Sequence, residues 1–162
     1  MLTEYRLDIA AEIRYAEKWA LSRNPAYYDF EDIGGDCTNF ISQCLYAGGA
    51  VMNFTPDTGW YYRSVNDRAA AWTGVEQFFR FITSNKGVGP FGRTVPLTNT
   101  AVGDVIQLCL RDGCYHSLLV TDIRRGVIFV SAHSYDALDR PLYSYDYGKI
   151  RVLHIAGARK WV

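Results

Sequence analysis

The stretch Gly34-Gly35-Asp36-Cys37-Thr38-Asn39-Phe40-Ile41-Ser42-Gln43-Cys44-Leu45-Tyr46-Ala47-Gly48-Gly49 reads as a short helix with a cysteine in its first turn. Two glycines lead in, and Asp36 is a residue type whose carboxylate accepts from the free N–H groups of a helix start. Gly48-Gly49 supplies a stop. Cys37, Ile41, Cys44, Leu45 and Gly48 recur at helical spacing, which puts Cys37 on or beside the buried stripe. A thiol there feels the positive end of the helix dipole, so a lowered pKa and a nucleophilic thiolate are expected. A lone cysteine is more often only a small apolar core residue. A catalytic role therefore requires a base elsewhere in the chain.

Three histidines are available, His116, His133 and His154. His116 lies near the start of a strand-like run (115–123) and His133 just past the end of the next (127–132). If the turn pairs Arg124 with Arg125, the two histidines fall directly opposite on one face, with Cβ atoms about 5 Å apart. Leu118, Val120 and Phe129 share that face, which is then the face expected to pack a helix. A three-residue loop with Gly126 left-handed instead puts the histidines on opposite faces. The chemistry of such a set is nucleophilic catalysis. His116 takes the thiol proton and later returns it to a leaving amine, His133 fixes the imidazole tautomer, and the Cys37 N–H helps form an oxyanion hole. Ser134, Asp136 or Asp139 could replace His133 as the orienting group. His154, mid-strand among apolar neighbours, reads as structural. The four cysteines and two of the histidines offer enough zinc ligands. No CxxC or HxxxH spacing is present, however, so neither a metal nor another cofactor is expected. Cys109 and Cys114 flank a hairpin turn, where a disulfide is an option.

Outward from this centre, residues 3–22 have helical periodicity. Tyr5, Ile9, Ile13, Ala16 and Ala20 lie on one side, and Glu12 among the charges on the other. Residues 25–36 form a Tyr- and Asp-rich loop feeding the cysteine helix. Residues 51–72 read as a long loop, whose Phe54, Trp60, Tyr61, Tyr62 and Trp72 either line a sugar or peptide groove or cover the core. Thr73-Gly74-Val75-Glu76 is a capping box that opens a helix carrying Val75, Phe78, Phe79 and Ile82. Residues 87–100 read as a loop. Strand-like runs follow at 104–110, 115–123, 127–132 and 150–156. Helices followed by an antiparallel meander predict an α+β fold, with a helical layer on one sheet and residues 1–162 as a single domain.

Composition narrows the function. The chain has 162 residues, 49% hydrophobic, with Lys+Arg and Asp+Glu both at 17. A zero net charge predicts no nucleic-acid face, and no apolar run approaches the roughly 20 residues of a membrane span. A monomer is expected. Met1-Leu2-Thr3-Glu4-Tyr5 is not a signal peptide. The chain is thus cytoplasmic as written, or a domain of an exported protein.

These residues carry a resemblance. Tyr15-Ala16 with Trp19, Asn24-Pro25-Ala26-Tyr27-Tyr28, Gly35-Asp36-Cys37-Thr38-Asn39-Phe40-Ile41-Ser42-Gln43-Cys44-Leu45, Gly103-Asp104-Val105-Ile106-Gln107, His116-Ser117 and Ala132-His133-Ser134 resemble the putative amidase domain of Gram-positive bacteria. That family looks like a branch of the papain-like NlpC/P60 and CHAP superfamily. The resemblance implies a papain-like fold with N-terminal helices on a C-terminal antiparallel sheet. It implies a Cys37–His116–His133 triad, with Tyr28 or Tyr27 assisting at the oxyanion; Asp36 beside the thiol and Trp60 of the aromatic loop are the other candidates for oxyanion or substrate binding. The implied substrate is an amide of peptidoglycan or of a peptide. A non-catalytic wall-binding module of the same fold and a thioester-forming acyltransferase are the alternatives.

Overall fold

Five strands assemble the C-terminal half, and a pairing of residues 2–5 with residues 158–161 recruits the N-terminus. The computed structural model describes residues 1–162. In chain order the elements are β1 (Leu2–Tyr5), α1 (Ile9–Trp19), α2 (Cys37–Ala47), β2 (Tyr62–Ser64), β3 (Asp67–Arg68), α3 (Ala70–Thr73), α4 (Val75–Ser84), β4 (Gly89–Val95), β5 (Val105–Leu110), β6 (Gly113–Arg124), β7 (Val127–Ala132), β8 (Ala137–Pro141) and β9 (Lys149–Trp161). The fold is α+β, with a few helices on a large antiparallel sheet ordered β1-β9-β5-β6-β7-β8. The long strand β9 pairs β4 along one edge, and β5 and then β1 along the other. No helix is long and apolar enough to cross a membrane.

Several local expectations are corrected. Residues 2–5 are a strand rather than the first turn of a helix, because they pair with residues 158–161. The helix begins after Asp8, whose side chain accepts from the Ala11 N–H at 3.0 Å. Residues 89–95, expected to be loop, pair as β4 along β9. The 51–72 segment folds back through an Asn53–Trp60 bridge, the small β2–β3 hairpin and the turn of α3. Thr73 does not cap α4. It closes α3 and accepts from Arg68 Nε at 3.2 Å.

The sheet has two covered faces. Val105, Leu119 and Leu153 face the helices and pack with Phe40, Ile41, Leu45, Trp60, Trp72 and Phe78. Ile106, Leu108, Leu118, Val120 and Val130 face the other way, beneath Leu142 and Tyr145 of the segment after β8. Leu118 and Val120 therefore lie on the face opposite the helices, not on the helix-packing face the sequence suggested. The β6–β7 turn explains why. Arg125 and Gly126 form a two-residue turn with φ of 51° and 77°, so Arg124 pairs with Val127. A bulge at Thr121 then shifts the register, giving Leu119 opposite Ser131. Extended, that register sets Ser117 rather than His116 opposite His133.

Glu12 departs most from its helical pattern. It is fully buried, both carboxyl oxygens lack a protein partner, and a Cβ on Gly48 would come within 2.6 Å of its Cγ. Glycine at 48 is what makes room for it. Burial, with Asp104 and Asp8 nearby, pushes its pKa up to about 9. Between pH 4.5 and 9 the folded state holds a proton that the unfolded state releases, so this group lowers stability as pH rises through that window. Glu12→Gln, isosteric with the protonated acid, is expected to raise stability on the order of 2–3 kcal/mol at pH 7 and by almost nothing at pH 4. Urea melts at the two pH values check this, and an equal effect at both would refute a neutral buried Glu12.

Candidate active site

The helix that carries Cys37 is held by its first residues. Helix α2 is buried from Cys37 to Leu45. Asp36 stands before it, but its carboxylate does not cap the helix. Instead Oδ1 accepts from the Phe30 N–H at 2.8 Å and from Asn39 Nδ2 at 2.9 Å, and Oδ2 lies 2.5 Å from His133 Nδ1. His133 Nε2 lies 2.7 Å from the Trp19 carbonyl, which can only accept. Nε2 is therefore placed to donate to that carbonyl, and Nδ1 faces the carboxylate. The His133 ring also stacks on Phe40, with centroids 4.3 Å apart. Both ring nitrogens are thus engaged away from His116. His133 ties α1, the end of β7 and the start of α2 together, and does not orient the other histidine.

A second layer surrounds this pair. The Arg23 guanidinium lies 3.6 Å from Asp36 Oδ2, 3.3 Å from Asp29 and 3.5 Å from Glu31, and forms a bidentate pair with Asp136. Ser134 Oγ accepts from the Asp36 N–H and donates to Glu31, both at 3.0 Å. Arg23 and Glu31 are not marked by the sequence, because nothing local links positions so far apart. The only available signal is a single arginine among four aspartates and a glutamate, at 29, 31, 32, 36 and 136.

Cys37 is 5% exposed. Burial raises its pKa, and the backbone N–H of Ser117 and the Thr38 hydroxyl only partly offset this. The raised value, with burial as its first cause, is contrary to the lowered one expected from the dipole. Beneath Cys37 runs a continuous polar chain. Thr38 Oγ1 meets Ser117 Oγ at 3.0 Å, and Gln107 Nε2 donates to Ser117 at 3.1 Å. Arg151 Nε donates to Gln107 Oε1 at 2.7 Å and its Nη2 to Glu76 at 3.1 Å, and Glu76 accepts from the Cys114 N–H at 3.2 Å.

His116 shares a cavity of about 240 Å³ with Cys37, Glu31, Gly34, Gly35, Tyr115, Ser134 and Tyr135. Its Nε2 is buried without a protein partner, and no hydrogen bond joins it to the thiol. The Tyr115 and Tyr145 rings lie 6.4 Å from the imidazole. Burial, with a smaller push from Arg140, lowers its pKa to about 4. At neutral pH the cavity therefore presents a neutral thiol and a neutral imidazole.

Residues 6–156 match the family model described as a putative amidase domain. The chain belongs to that family. It is 32% identical over 147 residues to the uncharacterized protein YhbB of Bacillus subtilis, covering 88% of this chain and 46% of that one. It is 31% identical over 140 residues to the uncharacterized protein YjcM of the same organism, covering 81% and 32%. The chain thus spans less than half the length of either relative. No solved structure matches it. Membership places this amidase-family domain, at the coarse level, among hydrolases of amide bonds.

The remaining sequence candidates lie elsewhere. Trp60 is fully buried, and its Nε1 donates to Ser42 Oγ at 2.9 Å, so it offers no surface to a ligand. Tyr28 lines a separate shallow depression with Tyr27, Tyr62 and Arg63, and its carbonyl accepts from Asn39 Nδ2 at 3.0 Å. It does not line the Cys37 cavity. Tyr115 and Tyr135 do. His154 is not simply a core residue. Its Nδ1 is 2.9 Å from the buried Asp104, and its ring borders another cavity.

Proposed function

We propose that this amidase-family domain is a cysteine-dependent amide hydrolase of papain-like architecture, with Cys37 as nucleophile and His116 as general base and acid. The observation that carries this is the shared cavity, lined by a cysteine at a helix start and by a histidine whose buried Nε2 has no protein partner. His116 takes the Cys37 proton as Sγ attacks the amide carbon. Backbone N–H groups at the start of α2 receive the developing oxyanion. The leaving amine takes the proton from His116, and water, deprotonated in turn by His116, cleaves the thioester and frees the acid. His133 and Asp36 contribute by fixing the helix start rather than by touching the substrate.

The substrate class to test first is a peptide amide of peptidoglycan, which the resemblance to bacterial wall hydrolases favours. Purified wall is digested with the natural chain and with Cys37→Ala, and the soluble products are weighed by mass spectrometry. New fragments from the natural chain alone are the expected result, and their masses identify the bond. Equal release by both proteins refutes a role for Cys37. Absence of fragments across several wall types moves the substrate to another amide. Trapping of an amine acceptor in place of water on the thioester would reassign the domain as an acyltransferase.

A further inference from the structure

The β7–β8 connection holds backbone that its side chains disfavour. Ser134 and Tyr135 have φ of 58° and 61°. Hairpin turns ordinarily give that left-handed region to asparagine, aspartate or glycine. For a side chain as bulky as tyrosine it is rare and costs free energy, and it persists where the surroundings impose it. Residues 133–136 join Ala132 to Ala137, which pair across the hairpin. Three of the four are tied by their side chains. His133 lies between Asp36 and the Trp19 carbonyl, Ser134 between the Asp36 N–H and Glu31, and Asp136 in its bidentate pair with Arg23. Tyr135 is the exception. It is 90% exposed, so the fold gains little from its ring. It nevertheless lines the Cys37 cavity, and so does Tyr115, 47% exposed in the bulge of β6 beside the Cys109–Cys114 disulfide.

The rest of the lining narrows what these two residues hold. Glu31 is the one carboxylate of the cavity, and Ser134 and Arg23 already face it at 3.0 and 3.5 Å. Cys37 and His116 are neutral at pH 7. Gly34 and Gly35 contribute backbone alone. No unpaired charge is left for a charged group. What remains is the two phenol rings, apolar surface that a ligand takes out of water when it binds. We propose that Tyr135, together with Tyr115, determines specificity at Cys37 by gripping an uncharged, ring-bearing side chain of the acyl group that the thiol attacks. The inference rests on Cys37 acting as nucleophile, and goes beyond it by naming the chemistry of the acyl group. The disfavoured turn is then what stands an aromatic ring beside the cavity.

The test uses the full chain and two activated esters, p-nitrophenyl acetate and p-nitrophenyl 3-phenylpropanoate, so that it does not depend on the natural substrate. Acylation of Cys37 is followed by the nitrophenol burst and by mass spectrometry of its peptide. Each rate is divided by that of the same ester with free mercaptoethanol, which removes intrinsic reactivity. The natural chain is expected to favour the phenylpropanoyl ester by about tenfold, the worth of partly burying one ring. Tyr135→Phe should keep that preference, and Tyr135→Ala should lose most of it. Urea midpoints supply a second readout. Tyr135→Gly and Tyr135→Ala both remove the ring, but only glycine relieves the backbone, so the glycine variant should have the higher midpoint. An unchanged preference in Tyr135→Ala, or its loss in Tyr135→Phe, overturns the proposal while leaving Cys37 as nucleophile. Acylation of Cys37 by neither ester overturns both. A glycine variant with the lower midpoint means that the turn keeps its side chain for stability, and equally overturns the proposal.

Discussion

Alanine at His116 is expected to lower kcat/KM for an amide substrate on the order of 10³–10⁴-fold, and to remove the acid limb of the pH profile. In the natural chain that limb should be centred near pH 4, because burial and Arg140 hold the imidazole neutral down to that value. At pH 5 an ordinary imidazole, with a pKa of about 6.5, would be only about 3% neutral, whereas a buried His116 keeps most of its base form. Retention of activity at pH 5 therefore separates the two environments. The same depression has a stability consequence of opposite direction to that of Glu12. Between about pH 6.5 and 4 the unfolded chain binds a proton that the folded chain refuses, so stability falls as pH is lowered through that window. The alanine variant should lose that slope as well as the limb. A variant that keeps an unchanged acid limb would assign the base to another group.

Alanine at His133 is expected to cost about 3–5 kcal/mol of stability, the range for breaking a buried pair by removing one partner. The loss leaves Asp36 Oδ2 without the group that faces it at 2.5 Å, and leaves the Trp19 carbonyl without a donor. It also removes the ring stacked on Phe40. Adding Asp36→Asn to that variant should recover some of the loss, since the buried carboxylate that has lost its imidazole is then replaced by a neutral amide. Urea titration of the four proteins in the cycle measures the coupling. A single-variant loss below about 1 kcal/mol would mean that the pair does not hold the helix start. If His133 acted instead as the partner of His116, its removal would shift the acid limb of the pH profile, whereas a role through Asp36 leaves the limb in place.

The cysteine helix is legible in the sequence to the residue, because its stop lies in Gly48 and its stripe has a short period. Strand β7 is equally plain, and the separation of helices from strands along the chain is enough to give the α+β class. What escapes is set by distant pairing. Leu2–Tyr5 has no reason to be a strand until Trp161 lies beside it, and Gly89–Val95 none until β9 passes. Two bulges, at Thr121 and Tyr115, each displace a face by one residue, and a bulge leaves no local signature in these side chains. Hence the sequence brings Cys37 and His116 to one cavity, as the structure does, while it assigns His133 the wrong neighbour. Glu12 and Trp60 show a related limit. A helical period marks a charge as outward and an aromatic-rich loop suggests a groove, yet both residues are fully buried by elements remote in sequence.

The pairing of Leu2 with Trp161 has a mechanical consequence. The Met1 amine donates to the Val162 carbonyl and the Val162 N–H to the Met1 carbonyl, both at 3.0 Å, so the first and last residues meet at one point. Tension applied between them loads an antiparallel pair at its open end, where the cross-strand bonds lie along the pull and break in succession. Such a joint unzips at low force instead of shearing all at once. A tether through both ends would peel residues 2–5 away first, and the seam along β4 and β5 would bear load only afterwards.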